Sequence, residues 1–102
     1  MADKIRIRAR QDQGVVEVKA LMEHPMETGQ RKDKKGNKIP AHFIQTVTAK
    51  ANGKVVFEAY WGGAISKNPY LAFEYNGKSG DQVELVAVDN QGQTFNGSTK
   101  VR

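Results

Sequence analysis

Two histidines, His24 and His42, are the side chains of this sequence best suited to acid–base or metal chemistry, and it holds no others. His24 sits in Met22-x-His24-x-Met26, where two soft thioethers flank an imidazole. That combination suits Cu(I). Pro25 interrupts the alternation of a strand, so the three side chains need not share a face. Glu23 and Glu27 bracket His24, and a Glu–His pair is the one acid–base set visible locally. There is no cysteine, which excludes disulfides, thiolate metal sites and cysteine nucleophiles. Ser66, Ser79 and Ser98 lie in Gly- or Lys-rich stretches with no neighbouring histidine, and a serine nucleophile needs a base within reach. The sequence therefore assigns no catalytic, cofactor-binding or metal-ligating residue. The plain reading is that Met22 and Met26 pack in the core, that one or both histidines bond backbone, and that the glutamates balance nearby cations.

Tyr60, Trp61 and Tyr70 cluster beside Gly62-Gly63 and Asn68-Pro69. Such aromatics either plug the end of a core or anchor a partner, and both roles are compatible. Nucleic-acid binding would want aromatics and cations on neighbouring strands. Here the cations gather elsewhere. Arg31, Lys32, Lys34, Lys35 and Lys38, set against Asp33, account for +4 of the formal net charge of +5. The basic character belongs to one solvated tip, not to a face of the whole domain.

The elements that must position these residues are short strands. A chain of 102 residues is one domain, residues 1–102, large enough to bury a modest core. No apolar run approaches a membrane span. Met1-Ala2-Asp3-Lys4 offers no apolar h-region, so no secretory signal is expected from it. Residues 4–10 alternate Ile5, Ile7 and Ala9 with four cations, the pattern of a strand with one wet face or a charged edge. Strands are expected over 15–22, 43–50, 55–60, 70–75, 83–88 and 94–101, with 83–88 the most apolar and central. Turns fall at 11–14, 76–80 and 89–92, and Gly97 is expected to mark a bulge.

Asn52-Gly53 is the strongest local signal, a two-residue type I′ hairpin in which both turn residues need positive φ. A two-residue loop sets Ala51 opposite Lys54, Thr48 opposite Phe57, Thr46 opposite Ala59 and Ile44 opposite Trp61. That register brings His42-Phe43 beside Trp61-Gly62-Gly63. About seven strands and no helical periodicity point to an all-β fold, an immunoglobulin-like antiparallel β-sandwich. Antiparallel alternation gathers the turns at 11–14, 52–53 and 76–80 at one end. The 23–41 loop, the 61–69 loop and the 89–92 turn share the other end, where specific contacts are expected.

These stretches together resemble the SoxZ family. The resemblance rests on His24-Pro25-Met26-Glu27-Thr28-Gly29, Ile39-Pro40-Ala41-His42-Phe43-Ile44, residues 52–59, Trp61-Gly62 and Ser66-Lys67-Asn68-Pro69-Tyr70-Leu71, and it runs over nearly the whole chain. SoxZ-like chains are the small subunits of the SoxYZ carrier of bacterial thiosulfate oxidation. The resemblance implies an immunoglobulin-like sandwich without catalytic activity or cofactor, in a heterodimer with a SoxY-type subunit. That partner carries sulfur intermediates on a C-terminal cysteine and presents them to the other Sox enzymes. It also implies a periplasmic location reached by co-export with the partner, and no contact with nucleic acid or membrane. A docking or metal-binding sandwich module is the alternative reading. For partner contact the expectation falls on the loop end, at His24, Pro25, Met26, Glu27, Thr28, His42, Trp61, Asn68 and Tyr70.

Overall fold

A computed structural model describes residues 5–62 and 65–102. Lys4, Gly63 and Ala64, which the sequence reading placed in a strand and a loop, lie outside the described residues. Seven strands run in order: β1 (Ile5–Asp12), β2 (Val15–Met22), β3 (Ile44–Ala51), β4 (Lys54–Tyr60), β5 (Tyr70–Asn76), β6 (Gln82–Asp89) and β7 (Thr94–Lys100). They form two antiparallel sheets, ordered β1-β2-β5 and β4-β3-β6-β7. The chain is an all-β sandwich.

Each sheet follows from alternation. In β2, Val16, Val18, Ala20 and Met22 are buried while Val15, Glu17, Lys19 and Leu21 face water. In β6, Val83, Leu85 and Ala87 are buried, and the next inward position is Asp89. Side chains at every second position share one face, so these strands cover each other from opposite sheets. As the sequence reading expected, β6 is interior to its sheet, between β3 and β7.

Two sequence expectations are corrected here. The Asn52-Gly53 hairpin forms, with φ of 51° and 85° at its two turn residues, but its register holds only through Lys50 opposite Val55. A bulge between Ala49 and Lys50 then shifts it, so Ala49 faces Phe57, Thr48 faces Glu58 and Thr46 faces Tyr60. A bulge adds one residue to one strand and turns the next side chains over. Trp61 consequently donates its N–H to Gln45 O at 2.7 Å, and it does not pair with Ile44. Gly97 marks no bulge. The β6–β7 register is continuous there. A Cβ at Gly97 would stand 2.8 Å from Ile5 Cγ2, so glycine is required where β1 crosses close over β7.

The long loop is an arm. Glu27 and His42 exchange both backbone hydrogen bonds, at 2.7 and 2.9 Å, and Ile39 N–H bonds Arg31 O at 2.8 Å. A turn held by Asp33, with Gly36 at φ 83°, closes the tip. Residues 31–38 are all exposed, as their charge requires.

Candidate functional site

At the end of the sandwich that holds both irregular loops, three polar side chains converge. Asp89 reaches the interior because it continues the alternation of Val83, Leu85 and Ala87. His24 enters from the loop after β2, and His42 from just before β3. Asp89 Oδ2 lies 3.2 Å from His24 Nε2 and 2.8 Å from His42 Nε2. Asp89 Oδ1 accepts the N–H groups of Gln91 and Gln93 at 3.0 and 2.8 Å. The two imidazoles meet edge to face at 4.4 Å, and the Phe95 ring closes on His24 at 5.7 Å. His24 and Asp89 are buried, and the His42 side chain is 24% exposed.

Burial pushes the Asp89 carboxyl upward, but the Gln93 N–H, both imidazoles and the Gln91 N–H together hold it below its ordinary value. It is an anion satisfied at every lone pair, the condition under which a buried carboxylate is tolerated. The sequence shows residues 89–92 as a turn and offers Glu23 and Glu27, not Asp89, as carboxylates for His24. The extended alternation of β6 was the signal that could have found Asp89. Neither flanking glutamate takes that place. Glu27 pairs with Arg31 in a fork of 2.6 to 3.1 Å, which holds its carboxyl below the usual range, and Glu23 is exposed.

The hydrogen bonds fix the His24 tautomer. Met26 N–H donates to His24 Nδ1 at 3.1 Å. Nδ1 is therefore the acceptor, and Nε2 carries the proton that goes to Asp89. A neutral histidine that ligates a metal through one nitrogen keeps its proton on the other and donates it outward. Here the other nitrogen faces a donor, so the geometry is that of a hydrogen-bonded lock. Three potential ligand atoms, two imidazole nitrogens and a carboxylate oxygen, do stand within 4.8 Å of one another, but the Met26 N–H at His24 Nδ1 opposes ligation through His24 Nε2.

The lock supports an unusual backbone. Met26 has φ 50°, a left-handed conformation that is strained for a non-glycine residue. It is held by the His24 Nδ1 bond, by burial, and by its Sδ accepting Ile44 N–H at 3.4 Å. Met22 and Met26 pack in the core, as expected.

The two irregular loops do meet. Asn68 Oδ1 accepts His24 N–H at 3.0 Å, and Asn68 N–H returns to His24 O at 2.9 Å. Asn90 clamps the other side, accepting Phe43 N–H at 2.7 Å and donating to Ala41 O at 3.0 Å. Of the residues expected at a contact surface, Pro25, Thr28, Asn68 and Tyr70 are exposed, Glu27, His42 and Trp61 are half-buried, and His24 and Met26 are inside. Trp61 packs on the core, whereas Tyr60 is 79% exposed and Tyr70 60% exposed.

A model of the sulphur oxidation protein SoxZ matches residues 5–100. The chain belongs to the SoxZ family. That match covers all seven strands, both irregular loops and the three residues of the lock, and it ties the chain to sulfur oxidation. Comparison with the curated proteins gives no match. Among the described residues no helix is long and apolar enough to cross a membrane.

Proposed function

We propose that this SoxZ-family chain is the non-catalytic subunit of a heterodimeric sulfur carrier. It scaffolds a SoxY-type subunit whose C-terminal cysteine holds the sulfur intermediates. The observation that carries this reading is the joining of two facts: the family belongs to sulfur oxidation, and this sequence has no cysteine. A chain without a thiol has no thiolate with which to hold sulfur covalently. The covalent anchor must then be on another chain, and this one contributes form and surface.

The His24–Asp89–His42 lock fits a scaffold. It consumes its polar groups internally and fixes the shape of the loops around it. The exposed residues of that end, Pro25, Thr28 and Tyr70, with the rims of Glu27, His42 and Trp61, are the surface offered to the enzymes that load and unload the partner. The outward arginines of β1, Arg6, Arg8 and Arg10, would steer acidic partners in a salt-dependent manner. The location of the complex is the periplasm, reached by co-export with the partner.

Native mass spectrometry of the tagged chain, drawn from its own cells with partners attached, tests the reading. The expected result is a 1:1 complex with a small chain whose C-terminal cysteine bears sulfur adducts. A bare monomer or a homodimer would overturn it.

A further inference from the structure

His24 and His42 share one carboxylate, yet only His42 can take up a proton without breaking a bond. His42 turns Nε2 toward two oxygens, Asp89 Oδ2 at 2.8 Å and Gln93 Oε1 at 3.2 Å. Among the described residues nothing hydrogen-bonds its Nδ1, and its side chain is 24% exposed. A proton added at Nδ1 displaces nothing and turns the bond to Asp89 into an ion pair. His24 differs. It is buried, with Nε2 on Asp89 at 3.2 Å and Nδ1 under the Met26 N–H at 3.1 Å. A second proton on this ring would set an N–H at Nδ1 against the Met26 N–H. Two donors make no hydrogen bond, so the Met26 amide would be left buried and unmet.

The bond at stake holds a strained residue. Met26 stands at φ 50°, with its side chain buried and its Sδ accepting the Ile44 N–H at 3.4 Å. It comes directly before Glu27, whose backbone pairs with His42 to form the base of the arm. The charges facing His24 come from two elements. β6 supplies Asp89, and the end of the arm supplies His42, its ring 4.4 Å away. β7 supplies Phe95 and the 61–69 loop supplies Asn68, neither of them charged. Glu23 is exposed, and Glu27 is taken by Arg31. One carboxylate balances one imidazolium. Protons therefore enter in order, on His42 first and on His24 at lower pH, beside a cation and against the Met26 amide.

We infer that His24 is an acid-sensitive latch, whose protonation releases Met26 and with it the base of the 26–42 arm while the strands stay paired. This goes beyond the carrier reading and stands without it. The process to which the family belongs supplies the signal. When a reduced sulfur is oxidised with water as the oxygen source, each oxygen gained leaves two protons behind. The latch would make the loop end respond to that acid. The bistable element is the Met26 backbone, held left-handed when His24 is neutral and free to relax when it is not.

NMR of the ¹⁵N-labelled chain from pH 8 to pH 4 tests this, reading the imidazole nitrogens and the amide protection of Met26, Ile44 and Leu85. His24 should keep its neutral Nε2–H tautomer until the pH at which Met26 loses protection. The two changes should share one midpoint, between the ordinary carboxylate value of about 4 and the ordinary histidine value of about 6.5. Leu85 should stay protected throughout. His42→Gln keeps an N–H for Asp89 and removes the first proton, so His24 no longer charges beside a cation. Its midpoint should rise by about one pH unit. A charged His24 under a still-protected Met26 would overturn the inference. So would loss of Met26 and Leu85 together, which is global acid unfolding, or opening only below about pH 4, where the carboxylate itself protonates. A midpoint that stays or falls in His42→Gln would overturn it as well. If that variant does not fold at pH 8, the wild-type titration decides.

Discussion

His24 and His42 donate to the same oxygen. Their Nε2 atoms stand 3.2 and 2.8 Å from Asp89 Oδ2, although 18 residues separate the two rings in sequence. The shared acceptor ties the start of the long arm, its end and the β6–β7 turn into one unit. Replacing it is the most direct way to measure that unit.

Asp89→Asn keeps the size of the side chain and loses the charge. It also places an amide N–H₂ where an oxygen now accepts. If that amide faces the histidines, two ring N–H groups meet a donor; if it faces the turn, the amides of Gln91 and Gln93 do. Leaving buried donors unmet costs about 2 to 4 kcal/mol for a network of this kind. At about 4 °C or more per kcal/mol for a domain of this size, the melting temperature should fall by roughly 10 °C. A differential scanning calorimetry shift under about 2 °C would show that the lock contributes little.

The same carboxylate gives stability a sign with pH. Asp89 is held below its ordinary value of 3.8 in the folded chain. A depressed carboxyl contributes stability that is present above its unfolded value and lost as pH falls through its folded value. Asp81 at the opposite end shifts the same way, chiefly through the Lys78 N–H. It also accepts the Tyr75 hydroxyl, which burial and this bond push up to about 12. Unfolding free energy should therefore decline as pH drops below about 4. In Asp89→Asn the decline should be shallower, because one of the contributing groups is gone. Urea melts across the acid range that give the variant the same slope as the wild type would contradict this.

Much of this site was legible in the sequence, and the part that was not has a definite cause. Alternation alone gave the strands, because the period of 2 survives in Val16, Val18 and Ala20 and in Val83, Leu85 and Ala87. The meeting of the two irregular loops followed from counting antiparallel strands. Asp89 escaped because an aspartate before Asn90 and Gly92 reads as a turn. It is a turn residue and an inward one at once. The hairpin register failed for a different reason. The Asn52-Gly53 turn fixes only its nearest pairs, and a bulge that leaves Val56 without a partner, between Lys50 and Ala49 of the facing strand, leaves no mark in composition. The bulge expected at Gly97 does not form; the glycine answers the close approach of Ile5, and an approach between strands of different sheets cannot be read from one strand.

Metal affinity is a sharp test of the tautomer argument. His24 Nδ1 accepts a backbone N–H and its Nε2 donates to Asp89, so binding a cation through Nε2 would require breaking one of those bonds. Titration of the chain with Zn²⁺ or Cu(I) should show no stoichiometric binding in the micromolar range. The arm signals in an NMR spectrum should stay in place. Tight binding abolished by His24→Ala would show that the ring turns over to accept metal, and that the lock is a second state of the site.

Gly97→Ala probes the closure of the sandwich at the β1–β7 side. The added methyl would stand 2.8 Å from Ile5 Cγ2 and 3.0 Å from Ile5 Cβ, and 3.3 Å from the Ile5 carbonyl oxygen. Two of those atoms are near the backbone, so a rotamer change alone does not clear the space. β1 must lift from β7, and Ile5, 4% exposed, would lose part of its cover. Overpacking of this kind costs roughly 1 to 3 kcal/mol. Gly62→Ala is the matched control, because nothing lies within 4 Å of its added carbon. Chemical denaturation should separate the two variants, with Gly62→Ala close to wild type. Hydrogen exchange should show faster opening confined to β1 in Gly97→Ala. Equal stability of the two would mean that β1 does not press on β7 in solution, and that both sides of the sandwich are open to partners.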